Sequence, residues 1–256
     1  TPRGEPKLRF AWKTPFFPSL HNGETIYFGA NRVFKSTNRG DDWEPISGDL
    51  TEGVDPPNTR YQAITTLAES PLKPGLLFAG TDNGNVFISP NDGGEWRLVT
   101  KGLPRYAVTR LTPSPHDPNR IFVTLSGMSS DDFAPYVFRS DDLGSTWKSI
   151  AVGLPLETVH VIREDPSVEG LLYLGSDLGV YVSADGGESW KSLCNNLPTA
   201  AVHDLVVHPR DNELVAGTHG LSVFVLDIAP IQSQVGQAPK FVTNTPMVTY
   251  MRPYGT

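Results

Sequence analysis

The chain has 256 residues, including 24 Gly and 23 Pro, and 38% of its residues are hydrophobic. This composition excludes a disordered or collagen-like chain, and so many chain-turning residues favour many short strands over long helices. The net charge of −7 argues against binding to a nucleic-acid backbone, and no stretch has the roughly 18 consecutive apolar residues of a membrane helix.

Four eight-residue segments along the chain share one pattern, which we call the octet. Each has Ser first, Asn or Asp third, Gly fifth and Trp eighth. The patterned residues are Ser36, Asn38, Gly40 and Trp43; Ser89, Asn91, Gly93 and Trp96; Ser140, Asp142, Gly144 and Trp147; and Ser183, Asp185, Gly187 and Trp190. An Asn or Asp side chain that accepts backbone N–H groups two residues ahead, followed by a Gly with positive φ, is typical of a tight hairpin. We therefore predict a structural role for the octets.

The same order of strands and turns recurs around each octet. In the fourth repeat, strands are predicted at about 159–163, 171–175, 180–183 and 189–193, joined by short turns. One antiparallel four-stranded sheet per repeat predicts an all-β chain, a β-propeller with about five blades. The blades are placed at about 8–51, 63–104, 106–155, 157–198 and 200–228, within a propeller region of residues 1–232.

The fifth repeat has neither an octet nor its Trp. Its fourth strand must come from the tail 233–256, around Phe241–Met251, from the N-terminus, or from another chain. A propeller has to close, because an open end leaves unpaired backbone and an apolar blade face. Five blades could close alone, or the chain could be part of a larger propeller. The start at Thr1 without Met leads us to expect a processed or excised piece.

The octets resemble the Asp-box (BNR) repeat of sialidases, xyloglucan-hydrolysing enzymes and sortilin-type receptors. The chain is most similar to the bacterial family of sortilin-like, "glycosyl hydrolase BNR repeat" propellers, whose members are usually much longer. The resembling segments extend to about residue 232 and include 26–36, 64–71, 131–138, 161–166, 202–209 and 217–220. Leu221 stands where such proteins often have an Arg after His-Gly, so a role for that guanidinium is not carried over. The resemblance implies an extracytoplasmic or secreted bacterial protein, although the lack of disulfides fits the cytoplasm equally.

Propeller sites usually lie on the face formed by the turns between second and third strands and by the connections between blades. The residues expected on this face are Asn31, Arg32, Asp82, Asn83, Asp131, Asp132, Asp177 and His219 from the turns, and Arg60, Tyr61, Arg105, Tyr106, Glu157 and His160 from the connections, with His203 nearby. The segment 126–135 is the longest excursion, and long irregular loops on a rigid scaffold usually carry binding.

We favour a non-catalytic platform that recognises a protein or a glycan, with Asn31, Arg32, Arg60, Tyr61, Arg105, Tyr106, His160, His203 and His219 as binding residues. A glycoside hydrolase is the first alternative. It needs two carboxylates about 5 to 10 Å apart, for which Asp82, Asp131, Asp132 and Asp177 are candidates, although Asp is also common in turns for local reasons. The Arg-Ile-Pro segment of a sialidase is absent. A third alternative is an architectural segment whose partner is the remaining blades of its own propeller or another chain.

Neither a metal nor another cofactor is predicted. Cys194 is the single cysteine, which excludes an intrachain disulfide and a cysteine-based zinc site, and we expect it to be a buried apolar residue. His160 and His203 occupy equivalent positions in adjacent repeats, but no third ligand is placed with them by spacing. The expected partners are a protein or glycan ligand, without nucleic acid and without a membrane span.

Overall fold

A computed structural model describes residues 7–51, 61–193, 196–235 and the backbone of 248–250. The described residues form five four-stranded antiparallel sheets, as the repeats predict. The first comprises β1 (Phe16–Pro18), β2 (Ile26–Gly29), β3 (Val33–Ser36) and β4 (Glu44–Pro45), and the second β5 (Ile64–Glu69), β6 (Leu77–Thr81), β7 (Val86–Ser89) and β8 (Arg97–Leu98). The third comprises β9 (Ala107–Pro113), β10 (Ile121–Gly127), β11 (Asp132–Ser140) and β12 (Lys148–Ser149).

The fourth and fifth sheets complete the set. The fourth comprises β13 (Val159–Glu164), β14 (Leu172–Ser176), β15 (Val180–Ser183) and β16 (Lys191–Ser192). The fifth comprises β17 (Val202–His208), β18 (Glu213–Thr218), β19 (Val223–Asp227) and β20 (Val248–Tyr250). β20 pairs antiparallel with β19, so the fourth strand of this sheet comes from the tail, one of the three sources considered from the sequence.

Burial within a sheet follows strand order. The second strands β6 and β14 are buried at every residue, whereas the fourth strands β4, β8, β12 and β16 have two exposed residues each. A strand covered on both faces needs a nearly continuous apolar sequence, and Leu172–Ser176 and Leu77–Thr81 supply it. The one α-helix of the described ranges, α1 (Ala229–Gln232), has four residues, and no described helix could cross a bilayer.

The chain divides into two compact units. The first is formed by residues 1–132 with 138–148, and the second by residues 133–137 with 149–256. In the first unit, Tyr27, Val33, Ile64 and Leu77 belong to a buried apolar cluster shared by the first two sheets. In the second unit a larger cluster joins the fourth and fifth sheets and includes Ile231 of α1. Burying such apolar area contributes roughly 25 cal/mol per Å², which makes these clusters the main source of stability.

All four octets form the same type of hydrogen-bonded turn. In each octet the Ser Oγ accepts the backbone N–H of the fifth residue, Gly40, Gly93, Gly144 or Gly187, at 2.8 Å. The Asn or Asp Oδ1 accepts the N–H of the seventh residue at 2.8–3.0 Å. The sequence predicted that this Asn or Asp side chain accepts an N–H two residues ahead. It accepts one four residues ahead instead. The contact two residues ahead is made by the Ser Oγ, for example from Asp142 N at 3.3 Å.

The residue at the fourth octet position has a left-handed backbone conformation, which the sequence analysis did not predict. Arg39, Asp92, Leu143 and Gly186 have φ of 60°, 59°, 52° and 71°, although only one of them is Gly. Each donates its N–H to a carbonyl in the turn between the first two strands of its own sheet, at 2.7–3.0 Å. Left-handed conformations cost energy for side chains other than Gly. This backbone bond is therefore what holds three non-glycine residues in the conformation.

The octet Trp joins its sheet to the preceding one. The indole Nε1 of Trp96, Trp147 and Trp190 donates to the carbonyl of Ile46, Val99 and Ile150, respectively, at 2.8, 2.8 and 2.7 Å. Each acceptor is the residue immediately after the fourth strand of the preceding sheet. A buried indole N–H normally finds such a partner, so this bond is a repeated fastening between neighbouring sheets.

Candidate functional site

The residues predicted in turns lie in or beside the turn between the second and third strands of their sheets, and Tyr61, Arg105, Tyr106 and Glu157 lie in the connections that precede β5, β9 and β13. Asn31 and Arg32 lie between β2 and β3, Asp82 between β6 and β7, Asp177 between β14 and β15, and His219 between β18 and β19. Arg60 lies outside the described residues. The expected irregular loop 126–135 is different: β10 extends to Gly127, a 3-10 turn covers Met128–Ser130, and β11 begins at Asp132. A lengthened hairpin therefore replaces the loop.

Three imidazoles and one carboxylate meet in the second unit. The rings of His160 and His203 stack with centroids 4.3 Å apart and planes 17° apart, and His219 continues the row at 5.2 Å from His203. Asp177 Oδ1 lies 2.7 Å from His160 Nε2. We call these four residues the histidine cluster. His160 and His203 are half-buried and His219 is exposed, so the cluster presents one open end to solvent.

A β-bulge places the histidines. The pairing of β13 with β14 skips His160, because Val159 pairs with Ser176 and Val161 with Gly175. The pairing of β17 with β18 skips His203 in the same way. A bulge leaves one residue outside the ladder and re-aims its side chain. The same position holds Thr65 in the second sheet and Thr109 in the third.

The bulge threonines make different contacts from the bulge histidines. Thr65 Oγ1 donates to Val108 O at 2.5 Å and lies 3.1 Å from Gly80 O, while Thr109 Oγ1 lies 2.7 Å from Thr124 Oγ1. These two hydroxyls make hydrogen bonds to other residues of the first unit. The equivalent histidines instead contact each other, which sets the fourth and fifth sheets apart as the chemically distinctive part of the repeat.

A second polar contact lies in the first unit. Tyr106 Oη donates to Asp132 Oδ2 at 2.8 Å, and we call these residues the Tyr106–Asp132 pair. Gly127 makes the approach possible, since a Cβ there would lie 2.9 Å from Asp132 Cβ and 3.1 Å from the Tyr106 ring. Asp131, next in the chain, is exposed and has a left-handed φ of 56°. Arg105 is also exposed.

Asp82 and Asn31 are buried and engaged in hydrogen bonds that hold the chain itself. Asp82 is buried, and its carboxylate accepts the N–H groups of Tyr61, Gln62 and Ala63 at 2.6, 2.9 and 2.9 Å. Both carboxylate oxygens thus fix the chain entering β5. Asn31 is buried as well. It accepts from Arg9 N at 3.2 Å and donates to Asp49 Oδ2 at 2.7 Å.

The Asp49 carboxylate is a charged centre that the sequence did not single out. Arg9 Nη2 lies 2.6 Å from Asp49 Oδ2, and Arg9 also donates to Thr51 and to Gln62 O. Burial alone would raise the pKa of Asp49, but hydrogen bonds from Thr51, Asn31 and Arg9 outweigh it and hold the pKa below its ordinary value. This arrangement keeps the carboxylate ionised and ties the segment before β1 to the end of the first repeat.

The segment that precedes His160 is also tightly built. Glu157 is buried and accepts Leu178 N at 2.9 Å and Tyr181 Oη at 2.5 Å. Asp177 N donates to Thr158 O at 3.0 Å, so the turn that carries Asp177 is fixed to the strand that carries His160. Tyr181 was missed because a Tyr in a strand has no distinctive sequence signal.

The stacked rings do not chelate. Across the residues with described side chains, no three His, Cys, Asp or Glu side chains are placed to share a metal ion. Stacked imidazoles turn their faces, and not their nitrogen lone pairs, toward each other. The cluster is chemically suited to hydrogen bonding through the ring nitrogens and to contact with apolar or planar groups at its open end.

Comparison with known proteins gives the fold. No protein-family model and no curated protein matches the sequence. Among solved structures, an ancestral GH74 enzyme is 20% identical over 87% of this chain and 31% of its own, with a TM-score of 0.64. The GH74 xyloglucanase from Xanthomonas campestris is 16% identical over 93% of this chain and 38% of its own, with a TM-score of 0.67. YCF48 bound to D1 peptide is 14% identical over 86% of this chain and 67% of its own, with a TM-score of 0.55.

The chain spans between 31% and 38% of the length of these two GH74 enzymes. At these identities the likeness shows the fold alone. Five four-stranded antiparallel sheets and neighbours that are propeller proteins confirm the predicted class: the chain has the β-propeller fold.

Proposed function

We propose that this chain is an Asp-box propeller segment that acts as a non-catalytic platform for recognising a protein or glycan ligand. The four octets, with the same Ser, Asn or Asp and Gly hydrogen bonds, support the Asp-box assignment. The histidine cluster is the main contact point in the second unit, and the Tyr106–Asp132 pair is a second contact point in the first unit.

The observation that carries this proposal is the pair of bulges that stacks His160 on His203. Bulges are common next to functional sites, where they turn a side chain out of the ladder. The row of rings ends at the exposed His219, which is tilted against His203, so a ligand has both a ring face and ring nitrogens within reach. A peptide or a sugar offers matching hydrogen-bonding groups and apolar faces. YCF48, which is bound to a peptide in its structure, supports the peptide class.

A glycoside hydrolase is the second candidate, because two GH74 enzymes share the fold. Such an enzyme needs a pair of carboxylates at a defined separation, one acting as acid. Asp82 is committed to three backbone N–H groups, while Asp132 accepts from Tyr106 and Asp177 contacts His160. These contacts favour the platform, since they give three of the four candidates a local partner.

The test compares ligand binding and hydrolysis in one set of variants. Binding to peptide and glycan arrays is measured for the original chain, His203→Ala and His208→Ala. His208 lies at the other end of β17, beside Asp211, and is the matched control. We expect His203→Ala to lose a bound ligand by about tenfold or more, with an unchanged melting temperature, while His208→Ala binds normally.

The same arrays and a panel of oligosaccharides are used for hydrolysis with Asp131→Asn, Asp132→Asn and Asp177→Asn. Release of sugar that one of these variants abolishes without unfolding would establish the hydrolase and overturn the platform. Equal binding by His203→Ala and the original chain would remove the histidine cluster from the site.

A further inference from the structure

The first sheet has an aromatic face that is partly exposed. Phe28 contacts three other rings, those of Phe10, Phe34 and Trp43, with centroids 5.9, 6.0 and 5.9 Å apart. Trp43 is 40% exposed, Phe10 47% and Phe16 60%. Large contiguous apolar surfaces of this kind mark interaction sites.

Three junctions inside the molecule show what such a face binds. At each junction the octet Gly and Trp contact one residue that follows the fourth strand of the preceding sheet. The carbonyl of this residue accepts the indole N–H. The side chain of the same residue fills the space over the Gly. A Cβ on Gly93, Gly144 or Gly187 would lie 2.6, 2.7 or 2.8 Å from Ile46, Val99 or Ile150. The residue received is thus a β-branched aliphatic immediately after a fourth strand.

The first octet has the same indole donor and the same space over its Gly, but no described residue of another sheet occupies either of them. A Cβ on Gly40 would meet only Trp43 and Ile26 of its own sheet, at 3.5 to 4.0 Å. Within the described residues, the Trp43 indole N–H has no acceptor, and Trp43 is exposed where Trp96, Trp147 and Trp190 are half-buried. Among the described residues, the first octet is therefore one half of such a junction without the other half.

The register of the fifth sheet argues against a second copy of the chain as the counterpart. The acceptor residues Ile46, Val99 and Ile150 pair with Val33, Val86 and Val137. The equivalent Val of the fifth sheet is Val223, and it pairs with Tyr250. Tyr is not a β-branched aliphatic residue, so the sequence of a second copy has a different residue type at the position that all three junctions use.

We propose that this face is the docking surface for one further four-stranded blade of the same repeat type. An Ile or Val of this blade packs against Gly40, and the carbonyl of the same Ile or Val accepts the Trp43 indole N–H. The aromatic face of Phe10, Phe16 and Phe28 packs against the apolar side of that blade. This partner is independent of the ligand at the histidine cluster.

The test supplies such a blade. A copy of residues 107–150, which ends at Ile150, is placed before Thr1, so that residues 1–15 connect it to β1. The connections 47–63, 100–106 and 151–158 join neighbouring sheets over comparable distances in the chain. Hydrogen exchange of the Trp43 indole N–H is followed by NMR, with the signal assigned through Trp43→Phe. We expect exchange to slow by about tenfold or more, toward the rate of Trp96.

The matched control carries Ile150→Asp in the copied segment only, and in it Trp43 should exchange as in the original chain. A folded extended chain in which Trp43 exchanges at the original rate would overturn the proposal. So would sedimentation showing that the original chain is already a dimer with a protected Trp43, because a second copy would then fill the face.

A measurement without any extension guards against a copy that fails to fold. Gly40 and Gly93 have similar φ, +100° and +89°, so Ala at either position carries similar backbone strain. Only at Gly93 does the new Cβ meet a neighbouring sheet. Gly40→Ala should therefore lower the melting temperature less than Gly93→Ala. Equal losses would mean that the space over Gly40 is filled, which contradicts the proposal.

Discussion

The indole N–H of Trp96 donates to the carbonyl of Ile46 at 2.8 Å, and this bond connects the second sheet to the residue that follows the last strand of the first. The acceptor lies 50 residues earlier in the chain. The octet therefore acts twice: it closes a hairpin within its own sheet and it fixes the spacing to the sheet before it. Both functions follow from the turn geometry.

Replacing Trp96 with Phe should destabilise the chain more than replacing Trp43 with Phe. The first change removes a hydrogen bond and leaves the Ile46 carbonyl without its donor, which costs about 1–3 kcal/mol. The second removes an indole that is exposed. Urea unfolding, followed by circular dichroism, gives the free energy of unfolding for each variant. Similar losses for both variants would show that the hydrogen bond contributes little.

Replacing Gly93 with Ala should cost more than the same change at Gly102. Both residues have positive φ, +89° and +95°, so the strain imposed on Ala is alike, roughly 1 kcal/mol. A Cβ on Gly93 would lie 2.6 Å from Ile46 Cβ, whereas one on Gly102 meets nothing within 4 Å. Melting temperatures measured side by side isolate the clash. A larger loss at Gly102 would contradict the packing described for the junction.

Asp82→Asn should destabilise the fold, and Asp177→Asn should leave it nearly intact. Asp82 accepts three backbone N–H groups through both carboxylate oxygens, and an Asn amide nitrogen cannot accept. A buried N–H that loses its acceptor costs about 1–3 kcal/mol. Asp177 is at the edge of the histidine cluster, with one contact to His160. Thermal denaturation of both variants distinguishes a structural carboxylate from one that is available for binding.

Stability below pH 4 should depend on the two octets that carry Asp. Hydrogen bonds from Thr146 lower the pKa of Asp142, and for Asp185 bonds from Ser189 and Ser183 outweigh burial and lower its pKa as well. A depressed folded-state pKa means that the stabilisation is present above the unfolded-state pKa and is lost as pH falls through the folded-state pKa. The double variant Asp142→Asn/Asp185→Asn should therefore lose less stability on acidification.

The first two octets provide the internal precedent for that variant. Asn38 and Asn91 accept the N–H of the seventh residue at 2.9 Å, as Asp142 does at 2.8 Å. Melting curves at pH 7, 5, 4 and 3 compare the double variant with the original chain. A steeper decline of the double variant would contradict the assignment of acid sensitivity to these two carboxylates.

The periodic part of the sequence predicted the fold, because each repeat carries its own turn residues and its own alternating strands. Ser36 to Trp43 and its three counterparts mark the turn after every third strand up to the fourth sheet. The fifth repeat lacks the octet and its Trp, and from the sequence its last strand could come from three different sources. Pairing of Val223 with Tyr250 selects the tail, a contact that local sequence cannot specify.

The candidate site was predicted by position and less well by contact. His160 and His203 were recognised as equivalent, but the bulge that brings their rings together depends on the register with β14 and β18, which a single strand does not encode. Asp82 shows the opposite difficulty. An Asp in a turn has the same sequence signal whether it binds a ligand or caps backbone N–H groups, and here it accepts three of the latter.

His160 belongs to the fourth sheet, and His203 and His219 belong to the fifth. Their stack exists only while these two adjacent sheets keep their separation, since a small slide of one sheet would part rings whose centroids are now 4.3 Å apart. The ring protons of these three imidazoles therefore have ring-current shifts that change with the distance between the two sheets. NMR can follow these shifts without any attached label.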